Sequence, residues 1–129
     1  MINKIGFKNS KYKKNLKNSV FFVGEKFQIE TLKKFFSNKD FSYFKEITKG
    51  KDLKKKILSF DLDSKNKIIL IAVKKNISDS EIETLGANFF DFIKSNNIFE
   101  TNIIDNIDDL KIKNDFIKRF IHGINLKSY

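Results

Sequence analysis

Lys67-Ile68-Ile69-Leu70-Ile71-Ala72-Val73, separated by four residues from Ser78-Asp79-Ser80-Glu81, is the stretch on which the fold of this chain turns. A strand with one wet face alternates apolar and polar residues, whereas Ile68 to Val73 is apolar at every position. Such a strand must be covered on both faces and belongs in the middle of a sheet. The segment after it supplies a cover. Ser78 and Glu81 stand at capping-box spacing, where a hydroxyl and a carboxylate satisfy the free N–H groups of a helix start. Ile82, Leu85, Phe89, Phe92 and Ile93 then recur at helical spacing, which predicts a long amphipathic helix running to about Asn96.

Working outward, the same strand-and-helix alternation continues. Ile2 to Phe7 reads as a short strand, followed by a lysine-rich turn around Asn9 to Lys14. Ser19 to Val23 is an apolar strand that ends at Gly24. Ile29, Leu32, Phe35 and Phe36 predict a first helix over Gln28 to Ser37, and Phe41, Phe44 and Ile47 a second over Phe41 to Thr48, with Gly50 as its stop. Lys56 to Leu62 alternates, with Leu58, Phe60 and Leu62 on one face, as a half-buried strand does. Ile98 to Ile104 reads as a further strand. Asp108 or Asn114 is placed to cap a last helix carrying Phe116, Ile117, Phe120, Ile121 and Ile124. Strands alternating with helices around a two-sided apolar strand define an α/β fold, a three-layer sandwich whose mixed, mostly parallel sheet has helices on both faces. With no repeat and no Pro/Gly/Ser linker, residues 1–129 read as a single domain.

Composition narrows the function. The 129 residues are 40% hydrophobic and 33% charged, with 15 Phe and no Trp, so the core must lean on Phe and Ile. The absence of cysteine excludes disulfides, thiolate metal sites and cysteine nucleophiles. No apolar run of signal-peptide length follows Met1, and Ile68 to Val73 is far short of the roughly 20 residues that span a bilayer. These features predict a soluble cytoplasmic protein without a membrane partner. The net charge of +10 is lopsided: residues 1–60 carry 16 Lys against 5 acids, while residues 61–129 carry 10 Lys or Arg against 11 acids. A basic half can bind nucleic acid. Yet Arg119 is the sole arginine, and arginine is the preferred fork for phosphates and guanine edges, so these lysines read first as a solvated surface.

A catalytic constellation is not found, and no residue is nominated as catalytic, cofactor-binding or metal-ligating. His122 is the single histidine; it sits near the end of the last helix, where a cation would meet the helix dipole favourably, and without a partner in sequence it does not read as a catalyst. Asp61-x-Asp63 and Asp105-x-x-Asp108-Asp109 have carboxylates that a hard cation would need, but read as turn and helix-start residues. Gly6, Gly24, Gly50, Gly86 and Gly123 are isolated, so no phosphate-cradling loop is present. Gly86 inside a helix costs about 1 kcal/mol relative to Ala, which predicts that another element packs closely there.

The terminal stretch Phe116-Ile117-Lys118-Arg119-Phe120-Ile121-His122-Gly123-Ile124-Asn125-Leu126-Lys127-Ser128-Tyr129 resembles the helix that closes the N-terminal domain of leucyl (cytosol) aminopeptidases. Gly123, Leu126 and Tyr129 match that family's G-x-x-L-x-x-Y pattern, whose F-x-x-Y-K continuation would lie beyond Tyr129. Ser19 to Val23, Phe41 to Gly50, Ile68 to Val73 and Glu83-Thr84-Leu85-Gly86 resemble its early strand, short helix, central strand and following helix in order. Lys74-Lys75-Asn76 stands where the family has a glycine-containing turn. The resemblance implies a macro-domain-like sandwich that is non-catalytic and serves assembly, as a hexamer in the family, and access to the active site. The parent enzyme would remove N-terminal residues from peptides with two divalent ions, zinc or manganese, held wholly in the following domain.

Two rival readings accompany it. Residues 1–60 would bind nucleic acid, with Tyr12, Phe41 and Tyr43 stacking on single-stranded bases. An ADP-ribose-binding module is the weakest of the three, because it rests on fold analogy and lacks a glycine-rich loop.

Overall fold

The computed structural model describes residues 18–49, 55–63, 66–98, 100–112 and 115–128, and the backbone of residues 4–8. In chain order the elements are β1 (Lys4–Lys8), β2 (Ser19–Gly24), a 3₁₀ turn (Glu30–Phe35), α1 (Asn38–Lys49), β3 (Ile57–Asp61), β4 (Lys67–Val73), α2 (Asp79–Ser95), β5 (Glu100–Ile104), a second 3₁₀ turn (Ile107–Leu110) and α3 (Phe116–Ser128). One sheet has the order β1-β5-β2-β4-β3. All neighbours are parallel except the edge strand β3, which runs antiparallel to β4 with Ile57 opposite Ile71. The chain is therefore an α/β protein with a mixed, mostly parallel sheet, as its alternating pattern requires.

Strand periodicity sorts the core into two layers. Val20, Phe22, Ile69, Ile71, Val73 and Ile103 face α2 and α3. Phe21, Val23, Leu58, Phe60, Ile68, Leu70, Ala72 and Ile104 face the first 3₁₀ turn and α1. β4 is buried along Ile68 to Val73, so the absence of alternation in its sequence is explained by a helical layer on each side. Among the described residues no helix is long and apolar enough to cross a membrane.

Local chemistry sets the helix ends. At α2, Ser78 Oγ accepts from the Glu81 N–H at 3.2 Å while Glu81 Oε1 accepts from the Ser78 N–H at 3.0 Å, the predicted capping box. Its far end is closed by Asn97 in the left-handed region (φ 54°). There the Ile98 N–H reaches Ile93 O at 2.9 Å and the Asn97 N–H reaches Lys94 O at 3.3 Å, satisfying carbonyls that would otherwise be orphaned.

Four expectations are corrected or displaced. The helix predicted over Gln28 to Ser37 is only the 3₁₀ turn Glu30–Phe35. Phe27 precedes it in the left-handed region (φ 57°), and Phe36 leaves it extended, so that Phe35 and Phe36 both bring their rings to 5.4 Å from Phe21. An α-helix would turn consecutive residues about 100° apart. Leu62 lies past the end of β3, where its N–H bonds Asn66 O at 2.7 Å in the turn to β4. Asp108 sits inside the second 3₁₀ turn and does not cap α3, while Asn114 lies outside the described residues. Ile121 is half-buried, whereas Phe116, Ile117, Phe120 and Ile124 are buried as expected. The turn Asn9 to Lys14 and Gly50 also lie outside the described residues.

Gly86 has the close neighbour its position in a helix predicts. A Cβ there would overlap the Phe120 carbonyl oxygen and come 3.1 Å from Ile124 N, and a Cβ on Gly123 would overlap the Glu83 carbonyl and lie 2.7 Å from its carbon. α2 and α3 thus touch backbone to backbone.

Candidate functional site

β2 and β4 are adjacent and parallel, yet the chain leaves them in opposite directions: from β2 to the layer of α1, from β4 to α2. Where successive connections part in this way, a crevice opens at the carboxyl ends of the strands. A cleft of about 440 Å³ lies there, with Glu25 after β2, Ala72 and Lys74 at the end of β4, Lys56 at the start of β3 and Ser80, Glu81, Thr84, Leu85 and Asn88 on the wall formed by α2.

Its electrostatics follow from the capping box. Lys74 Nζ meets Glu81 Oε2 at 2.5 Å. The hydrogen bond from Lys74, then that from the Ser78 N–H, holds the Glu81 carboxyl down to about 2 from its ordinary 4.5. Glu81 is thereby a fixed anion near neutrality, unsuited to proton transfer. No imidazole lines the cleft. His122 is exposed on α3, beside a separate hollow of about 230 Å³ that it shares with Glu83, Asp115, Lys118 and Arg119. The cleft can bind, through two cations, two anions and a few hydroxyl and amide groups, but its residues do not assemble a nucleophile and base.

At the start of α2 the Glu81 amide is also engaged by the protein's own Ser78. The turn Lys74 to Asn76 contains no positive-φ residue, so no glycine is required there.

The acidic clusters fall where turn chemistry puts them. Asp63 Oδ1 and Oδ2 accept from the Asn66 N–H and side-chain amide, each at 3.0 Å, and Asp61 pairs with Lys67 at 3.2 Å. Asp105 accepts from the Ile107 N–H at 3.3 Å, and Asp109 pairs with Lys34 at 2.7 Å. Arg119 is held by carboxylates from both helices: Asp115 at 2.8 Å, Asp79 at 3.2 Å and Glu83 at 3.7 Å. The hydrogen bond to Asp115 leads in raising its pKa above the ordinary value. The sole arginine joins α2 to α3. Of the aromatics suggested for base stacking, Phe41 is buried with the Lys45 ammonium 5.1 Å from its ring centroid, Tyr43 is 47% exposed, and Tyr12 lies outside the described residues.

Sequence reasoning passed over two groups. The cleft residues come from four separate segments, none of them a motif. Asn106 is buried because β2 and β5 pair only as far as Val20 and Ile103; beyond that point its side-chain amide accepts from Phe22 N–H at 3.0 Å and donates to Phe22 O at 2.7 Å. It continues the ladder with a side chain. No protein-family model matches the chain, and no curated protein matches it.

Proposed function

We propose that this chain serves as the non-catalytic N-terminal domain of a metal-dependent leucyl aminopeptidase, with assembly and active-site access as its work. The observation that carries the reading is the end of α3. Gly123 of the G-x-x-L-x-x-Y pattern is seated against the α2 backbone, and Leu126 of the same pattern is left 55% exposed. A large apolar residue held out at a helix end suits contact with a neighbouring domain or subunit. In this reading catalysis resides in a separate domain, where two zinc or manganese ions would activate water and polarise the peptide carbonyl.

An antibody against this chain tests the proposal on the native protein. The antigen is expected to migrate well above 15.2 kDa, and the immunoprecipitate to hydrolyse leucine amide in a chelator-sensitive way. An antigen near that mass, without peptidase activity, overturns the reading.

A second reading, binding of single-stranded nucleic acid through residues 1–60, is favoured by Tyr43, exposed on a helix that also carries Lys39, Lys45 and Lys49. Titration of a labelled oligonucleotide at two salt concentrations tests it, since phosphate neutralisation imposes a steep salt slope.

A further inference from the structure

Within the cleft, two charges are left unanswered by its own walls. Lys74 and Glu81 neutralise each other, but among the described residues neither Glu25 nor Lys56 has a side-chain hydrogen bond or an ion pair. Their positions are fixed by the sheet. Glu25 follows Gly24, which lies opposite Val73 in the β2–β4 register. Lys56 precedes β3, and its carbonyl accepts from the Ala72 N–H at 2.8 Å. The backbones that carry this anion and this cation thus flank the end of β4 on opposite sides, two inter-strand spacings apart, or about 10 Å.

We propose that this cleft binds short peptides with free termini, the ammonium at Glu25 and the carboxylate at Lys56. Three extended residues reach about 10 Å at 3.3–3.6 Å each, the spacing of the two backbone positions from which these side chains project. Between them Ile77 and Leu85, both of the α2 layer, offer an apolar floor for small side chains, while Thr84 and Asn88 on the α2 wall offer hydrogen bonds to the peptide amides. The four charged groups of the cleft sum to zero. A polyphosphate would meet two carboxylates there, but a zwitterion meets its complement at each end. The inference stands on the cleft alone and does not depend on the aminopeptidase reading.

The test is a titration of the ¹⁵N-labelled chain with trialanine, N-acetyl-trialanine and trialanine amide at low salt. Amide shifts are expected at Gly24 to Lys26, Lys56 and Thr84 to Asn88. Each blocked peptide is expected to bind about tenfold more weakly, the scale of one charge-assisted hydrogen bond. E25Q should erase the preference for the free ammonium alone and K56M that for the free carboxylate alone. Both positions are exposed, and an otherwise unchanged spectrum shows that the fold is kept. Equal binding of all three peptides, no shifts at these amides, or shifts at the same amides by inorganic pyrophosphate at lower concentration overturns the proposal. None of these results bears on the mass or activity of the native antigen.

Discussion

The two faces of the sheet are covered by different means. On one, α2 and α3 interlock through Gly86 and Gly123 with carbonyls in the way of any added methyl, and Arg119 ties the helices at the surface. On the other, a 3₁₀ turn and α1 are held mainly by phenylalanine edges: Phe36 to Phe44 at 4.4 Å, Phe44 to Phe60 at 5.1 Å, and Phe21 to both Phe35 and Phe36. Backbone contacts cannot adjust, whereas rings can tilt and slide at small energetic change. The α2–α3 contact is therefore specified by absence of volume, although Phe22 packs edge-on against Phe116 and Phe120 beneath it, and the α1 layer by presence of volume; the helix contact and the ring-packed face should respond to substitution in opposite ways.

The largest effect is expected from Gly86→Val. Helix propensity alone is little changed or favours the substitution, but the new side chain meets the Phe120 backbone, and we expect a loss of about 3 kcal/mol or more in urea unfolding. A loss under 1 kcal/mol would break the contrast between the layers. Asn106→Leu should follow at about 2–4 kcal/mol, because both polar groups of Phe22 are left buried and unpaired; hydrogen exchange at Phe22 reports the opening directly. On the ring-packed face, Phe44→Leu should cost only about 1–2 kcal/mol, as neighbouring rings relax into the space. A larger loss there would show that layer to be as unforgiving as the other.

The smallest effect concerns the capping box. Ser78→Ala should cost about 1 kcal/mol in thermal unfolding. The companion pH dependence has a definite sign. Because folding lowers the Glu81 pKa from 4.5 to about 2, its contribution is complete above pH 4.5 and is lost as the pH falls toward 2. Glu81→Gln should flatten the stability profile in that window, and a profile unaltered by the substitution would contradict the pairing with Lys74.

What was legible in the sequence was what is local. The two-sided run of β4, the Ser78 cap and the stripe of α2 each announce themselves within a few residues, and the glycine inside α2 already implied a close neighbour. Ile29, Leu32 and Phe35 are spaced by three, which suits an α-helix or a 3₁₀ turn over so short a span, so the pattern predicts the first where the second forms. The deciding fact, a left-handed Phe27, is disfavoured for that residue by about 1–2 kcal/mol and so has no sequence signature. Asn106 acts on Phe22, 84 positions away, and the cleft collects Glu25, Lys56, Lys74 and Glu81 from segments that only the strand order brings together. Such sites exist at the level of topology, below which no spacing rule can see them.

The glycine contact between α2 and α3 also has a mechanical meaning. Two helices whose backbones touch at Gly86 and Gly123 cannot slide past each other without lifting a carbonyl out of its seat, so they move as one lever. One arm of that lever ends at Leu126, and the other carries Thr84, Leu85 and Asn88, the wall of the cleft. Any rotation of α3 against the sheet would therefore carry that wall with it.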